Sequence, residues 1–152
     1  MHTRRKILWH SAKVASLLAL TGLMPRLAMA AWNKDAFDAK SIGEVAKALG
    51  GAAPTASNAL SITGPDIAEN GAVVPIVASC SLPGVKRLAV LVEKNPSALA
   101  ASYDVTEALE ANISTRVKMA QTSQVYAVAL MADGRTLFAQ KEIKVTAGGC
   151  GG

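Results

Sequence analysis

The last five residues, Gly148-Gly149-Cys150-Gly151-Gly152, place the most reactive side-chain type of the chain in its least restricted setting. A thiol can act as a nucleophile, form a disulfide, or serve as a point of covalent attachment. Glycine lacks a Cβ and samples φ of either sign, and chain ends without anchors keep that freedom. The pattern predicts a thiol on a flexible arm. Counted from Val145, the five residues to Cys150 reach at most about 16–18 Å, enough for the sulfur to leave its own domain and enter a pocket on another protein. An unperturbed thiol has a pKa near 8.5, so about 3% is thiolate at pH 7. No base neighbours Cys150 in the sequence, and the adjacent C-terminal carboxylate acts to raise that pKa. A catalyst needs an activated nucleophile, whereas a carrier is activated by each enzyme it visits. The tail therefore points to a non-catalytic carrier.

The other titratable chemistry is sparse. His2 and His10 are the only histidines, and both lie in the first 30 residues. Those residues have the order of a secretory signal: basic Arg4-Arg5-Lys6, an apolar run over 14–24, and Ala28-Met29-Ala30 as a small-residue cleavage site. The apolar run is too short to span a bilayer. Thr3-Arg4-Arg5-Lys6-Ile7-Leu8 resembles a twin-arginine signal, with an ordinary secretory signal as the alternative. Cleavage after Ala30 delivers a periplasmic protein without histidine. Ser-His-Asp and Cys-His catalysis within the chain are then excluded. With two cysteines, no zinc site of the usual kind forms, and no resident cofactor or metal is expected. No cysteine follows the cleavage site, so no lipid anchor is expected.

The charge balance belongs to the same segment. The chain carries 16 basic and 11 acidic residues. Five of the basic ones, Arg4, Arg5, Lys6, Lys13 and Arg26, precede residue 31, where there is no acid. The remainder is neutral, which argues against nucleic acid or an anionic membrane as a partner.

The expected organisation is a signal over 1–30, a helical segment and linker over 31–58, a β-sandwich over 59–145 and the arm over 146–152. Residues 32–49 read as a helix, with a capping box at Ser41-Ile42-Gly43-Glu44. Ile42, Val45, Ala46 and Leu49 form its apolar stripe, and Gly50-Gly51 stops it. Trp32 and Phe37 are expected to pack with it, and 52–58 reads as a small-residue linker. From residue 59 the pattern changes to short strands divided by Gly64-Pro65, Asn70-Gly71, Leu82-Pro83-Gly84, Asn95-Pro96 and Asp133-Gly134. Within 86–93, Leu88, Val90 and Val92 share one face, with Ala89 and Leu91 on the other. Seven strands so spaced predict a mainly β fold, an immunoglobulin-like antiparallel sandwich. Cys80, near a strand end, reads as a small buried residue. A Cys80–Cys150 disulfide is the structural alternative, since export makes bridges available.

From the leader to the last residue, the chain resembles the SoxY family of the periplasmic sulfur-oxidation (Sox) system. The resemblance rests on the terminal Gly148-Gly149-Cys150-Gly151-Gly152. Supporting stretches are Ile67-Ala68-Glu69-Asn70-Gly71-Ala72-Val73-Val74-Pro75, Asn95-Pro96, Ser114-Thr115-Arg116-Val117-Lys118 and Lys144-Val145-Thr146. It implies a covalent carrier in thiosulfate oxidation. Cys150 would hold the cargo as a cysteine S-thiosulfonate, with Gly148, Gly149, Gly151 and Gly152 as its flexible flanks. It also implies partners: a SoxZ-like subunit exported with it, a haem c-type cytochrome that loads the cysteine, a sulfate-releasing hydrolase, and a molybdenum–haem dehydrogenase acting on the remaining sulfane sulfur. Cys80 departs from the family's usual single cysteine.

Three other readings compete: a thiocarboxylate carrier using Gly151-Gly152, an exported structural or binding sandwich that dimerises through a Cys150 disulfide, and a thiol peroxidase or reductase. The export signal opposes the first, because that chemistry needs ATP. The missing activating residue opposes the third.

Overall fold

The computed structural model describes residues 33–106 and 108–147. The expected leader with its expected cleavage site after Ala30, Trp32, and the residues of the expected arm, Gly148, Gly149, Cys150, Gly151 and Gly152, lie outside the described residues.

Two short helices replace the single helix expected over 32–49. The first, α1 (Lys34–Asp38), is capped by Asn33, whose side chain accepts from Ala36 N at 3.1 Å. Chain direction changes at extended Ala39, and α2 (Ile42–Ala48) begins from Ser41. The Ser41 hydroxyl accepts from Glu44 N at 3.3 Å, as the capping pattern predicts. The Glu44 carboxylate reaches one residue further back than expected, to Lys40 N at 2.8 Å. At the other end Gly50 has φ +84°. Gly51 N donates to Ala46 O (2.8 Å) and Gly50 N to Lys47 O (3.0 Å), a Schellman stop.

Among the described residues nine strands follow, two more than the turn spacing predicts. They are β1 (Pro54–Ala56), β2 (Leu60–Thr63), β3 (Ile67–Ala68), β4 (Val74–Cys80), β5 (Val85–Val92), β6 (Leu99–Asp104), β7 (Asn112–Val117), β8 (Ser123–Met131) and β9 (Thr136–Val145). One sheet has the order β1-β9-β8-β5-β6, with β3 also on β9; the second is β2-β4-β7. The fold is a mainly β, immunoglobulin-like sandwich.

The two extra strands are β1 and β3. Both pair parallel to β9, β1 at its start (Pro54↔Thr136) and β3 at its end (Ala68↔Val145). The stretch expected as a linker therefore contributes a strand. The remaining ladders are antiparallel.

The core follows from alternation. Leu88, Val90 and Val92 of β5 and Val125, Ala127 and Ala129 of β8 face Leu60, Val74, Ile76 and Ala78 between the sheets. The opposite faces of β5 and β8, Ala89, Leu91, Val128 and Leu130, are covered by Ala36, Ala39 and Val45 of the helical segment, with Phe37, Ile42 and Leu49 packed at its margin. β5 is thus apolar on both faces because it is buried on both. The stripe on α2 is core, as its spacing suggests.

At the tip of the β8–β9 hairpin Gly134 has φ +89°. Met131 N donates to Arg135 O there at 2.9 Å.

Candidate functional site at the end of the last strand

The ladder between β8 and β9 ends at Ser123↔Ile143. Beyond it, β9 exchanges its partner for the 66–71 segment. Lys144 N donates to Asp66 O (3.0 Å) and Thr146 N to Ala68 O (3.1 Å). The Thr146 hydroxyl donates to Glu69 O (3.2 Å), and Val145 N to the Thr122 hydroxyl (3.0 Å). Gly71 N then donates to Ala147 O at 2.8 Å. The chain is held for two residues past Val145, where the arm was expected to begin.

The same end gathers the stretches on which the family resemblance rests. Gly71 O accepts from Met119 N at 2.7 Å, which joins the Asn70-Gly71 turn to the residues after β7. Asn95 donates from Nδ2 to Lys118 O (2.7 Å) and accepts at Oδ1 from Ala120 N (3.1 Å). Asn70 Oδ1 accepts from Ala72 N at 2.8 Å and shapes the turn. Segments far apart in sequence thus converge around Ala147.

Ile67 (56% exposed) and Val73 (54% exposed) project into solvent in the two segments that flank this end. Asp66 pairs with Lys141 at 2.6 Å. The hydrogen bond and charge of that ammonium hold the Asp66 carboxyl below the usual carboxylate range.

Cys80 occupies the other end. It closes β4, where it pairs with Leu60 and donates N–H to Ala111 O at 2.8 Å. Its thiol is free and half-buried, more open than the buried position its sequence context suggests. It lines a cavity of about 770 Å³ with Leu82, Lys86, Thr106 and Glu110.

The distance between the two ends decides the disulfide alternative. The six steps along β4 from Val74 to Cys80 span about 20 Å. Gly71, which holds Ala147, pairs with Met119, two residues beyond Val117, the partner of Val74. Ala147 is therefore more than about 20 Å from Cys80. Three residues from Ala147 to Cys150 reach at most about 10–11 Å, and a disulfide needs Cα atoms within about 7 Å. With the end of β9 held at Ala147, a Cys80–Cys150 bridge within one chain is out of reach.

Among the described residues there is no histidine, and no group of three or more His, Cys, Asp or Glu side chains could hold a metal ion. No helix among them is long and apolar enough to cross a membrane. What the fold presents at the end of β9 is a fixed platform from which five further residues continue. The sequence offered that end only as the close of a long strand. The fastening at Thr122, Glu69 and Gly71 depends on contacts between distant segments and carries no periodic signal.

The family described as "Sulfur oxidation protein SoxY" matches residues 45–150, more than half of the chain, and the match extends to Cys150. No curated protein matches the sequence. Among solved structures, the sulfur carrier protein SoxY from Chlorobium limicola f thiosulfatophilum is 34% identical, with a TM-score of 0.60 over 67% of this chain and 92% of that one. The superoxide reductase (neelaredoxin) from Ignicoccus hospitalis is 16% identical, with a TM-score of 0.51 over 58% of this chain and 80% of its own. A substituted form of that enzyme has a TM-score of 0.53 at 15% identity, over 70% and 99%. At such identity the likeness to the reductases is one of fold alone. The family match, supported by the 34% identical structure, gives the conclusion: this chain belongs to the SoxY family of sulfur-oxidation proteins.

Proposed function

We propose that this protein is a covalent sulfur carrier in periplasmic thiosulfate oxidation, and that Cys150 is its attachment point. The observation that carries the reading is the position of the C-terminal end of β9. It is fastened at Ala147, three residues before the cysteine and at the opposite end of the sandwich from Cys80. A thiol placed there can be offered outward while the scaffold stays folded. Family membership and the Gly148-Gly149-Cys150-Gly151-Gly152 tail support the same role.

In the loading step the Cys150 thiolate bonds to the outer sulfur of thiosulfate. The product is a cysteine S-thiosulfonate, and two electrons pass to a haem c-type cytochrome. Water then attacks the sulfonate sulfur at a hydrolase, sulfate leaves, and a persulfide remains on Cys150. A molybdenum–haem dehydrogenase oxidises that sulfane sulfur, and a further hydrolysis returns the free thiol. The glycines let the tail lie in a narrow channel, because no side chain widens it. The chain itself supplies no base, metal or cofactor to these steps. A SoxZ-like subunit is its partner, and twin-arginine export with cleavage after Ala30 brings both to the periplasm.

The test is the intact mass of protein taken from periplasm during thiosulfate oxidation, with and without reductant. A fraction heavier by about 112 Da (the thiosulfate adduct) or by steps of about 32 Da, located to Cys150 and removed by reductant, is expected. Cys150→Ser abolishes the adduct, and Cys80→Ser leaves it. A chain that stays unmodified under those conditions, or carries sulfur only on Cys80, would overturn the proposal.

A further inference from the structure

The fastening beyond β9 is made mostly of backbone groups, with two exceptions. Val145 has no partner in β8, and its N–H is taken by the Thr122 hydroxyl at 3.0 Å. The Thr146 hydroxyl donates to Glu69 O at 3.2 Å. The backbone strand that supports them is β3, only two residues long. Pairing so short is at the low-stability end of a fold and opens readily when nothing else holds it.

We infer that Thr122 and Thr146 are positioning residues that set the length of the carrier arm by fixing its pivot at Ala147. The inference rests on the proposed carrier role of Cys150 for its purpose, but not for its geometry. With the pivot at Ala147, three residues carry Cys150 at most about 10–11 Å from the scaffold. With the fastening undone back to Lys144, six residues carry it about 20–22 Å. A longer tether samples more volume. The effective concentration of the thiol at a docked active site falls roughly as the −3/2 power of tether length, here about threefold. The two hydroxyls thus trade reach for delivery. The active site of any partner must lie within the shorter radius of the surface around Gly71 and Ala147.

The full-length mature chain with Cys80→Ser, labelled with a nitroxide at Cys150, tests this by electron paramagnetic resonance. Thr122→Val and Thr146→Val keep the side-chain shape and remove the hydroxyl. Each is expected to raise the rotational mobility of the label, and the pair more than either, at an unchanged melting temperature. Thr122→Ser and Thr146→Ser, which retain the hydroxyl, are expected to restore the parent spectrum. Hydrogen exchange at the Val145 and Gly71 amides is expected to accelerate about tenfold in the valine pair, because these amides report local opening. Valine variants with the parent spectrum, or serine variants that behave like valine, would overturn the inference. Should the valine pair not fold, the parent protein decides. Val145 and Gly71 amides that exchange there at the rate of an unprotected chain would equally overturn it. None of these readouts depends on whether Cys150 gains sulfur in the periplasm, so a failure of the carrier role and a failure of the pivot are told apart.

Discussion

The sandwich has a sulfur position associated with each of its ends, and the two are built differently. Cys80 is the last residue of β4, which is hydrogen-bonded to β2 and β7 on its two sides. Its sulfur goes where the sheet puts it, half-buried beside a cavity. Cys150 stands three residues after Ala147, the last described residue, which is fastened at the opposite end. A cysteine inside a strand has a fixed location; one beyond a fastened strand end has, in the proposed role, a pivot. That separation also gives a physical reason why a second thiol need not interfere with the first. More than about 20 Å separates Cys80 from Ala147, further than the three residues to Cys150 can bring the two sulfurs together.

Oxidation is expected to separate the two cysteines most clearly. Purified mature protein treated with a mild oxidant is expected to form a disulfide dimer through Cys150, absent in Cys150→Ser and kept in Cys80→Ser. A monomer 2 Da lighter, with Cys80 and Cys150 in one linked peptide, would mean that the two ends meet. The expected difference is all or none, since disulfide geometry admits only Cα atoms within about 7 Å.

Core truncation is expected to distinguish the two ends in energy. Ile143, the last β9 residue paired with β8, is fully buried beneath the arm's root. Ile143→Ala is expected to lower unfolding stability by about 2–5 kcal/mol in a denaturant titration. Leu82, half-buried at the Cys80 end, packs only at the margin of the core. Leu82→Ala is expected to cost about 1 kcal/mol. Equal losses would mean that the arm's root is no better anchored than the opposite loop.

The smallest effect is electrostatic. Asp66 pairs with Lys141 across 75 residues of sequence, and Asp133 with Arg135 across two. Both carboxyls titrate below the ordinary range. For Asp66 the Lys141 hydrogen bond and charge are responsible; for Asp133 it is the backbone N–H of Arg135, followed by its side chain. A depressed folded-state pKa adds stability above the unfolded carboxylate value, and that stability is lost as pH falls through the depressed value. Both groups are exposed, so the effect is slight. The Asp133 pair is local enough to persist in the unfolded chain, which weakens its contribution to the difference between states. Thermal melts between pH 6 and about 2 are therefore expected to show a shallower acid loss for Asp66→Asn than for Asp133→Asn.

Much of this architecture was legible in the residues because it is repetitive. The two faces of β5, the Asp133-Gly134 hairpin, the Ser41 cap and the glycine stop after α2 all follow from local rules. β1 and β3 do not, for a physical reason. A parallel pairing of two or three residues shows no alternation, and its partner in β9 lies roughly 80 positions away. The break between α1 and α2 was hidden because apolar residues recur on both sides of Lys40. The tail was legible as chemistry, a thiol between glycines. Its root was not, since Thr122, Glu69 and Gly71 become neighbours of Val145, Thr146 and Ala147 only after the chain has folded.

The flanking of β9 has a mechanical consequence. In the proposed carrier role, any tug on the tail as a partner enzyme lets go of it is transmitted along β9. That strand is bonded to β8 on one side and to β1 and β3 on the other. The bonds of its antiparallel ladder lie across the direction of pull. Pulled along its axis, the strand loads them together in shear, and pairing on both sides adds bonds to share that load. A scaffold paired in this way resists a pull on its C-terminal strand.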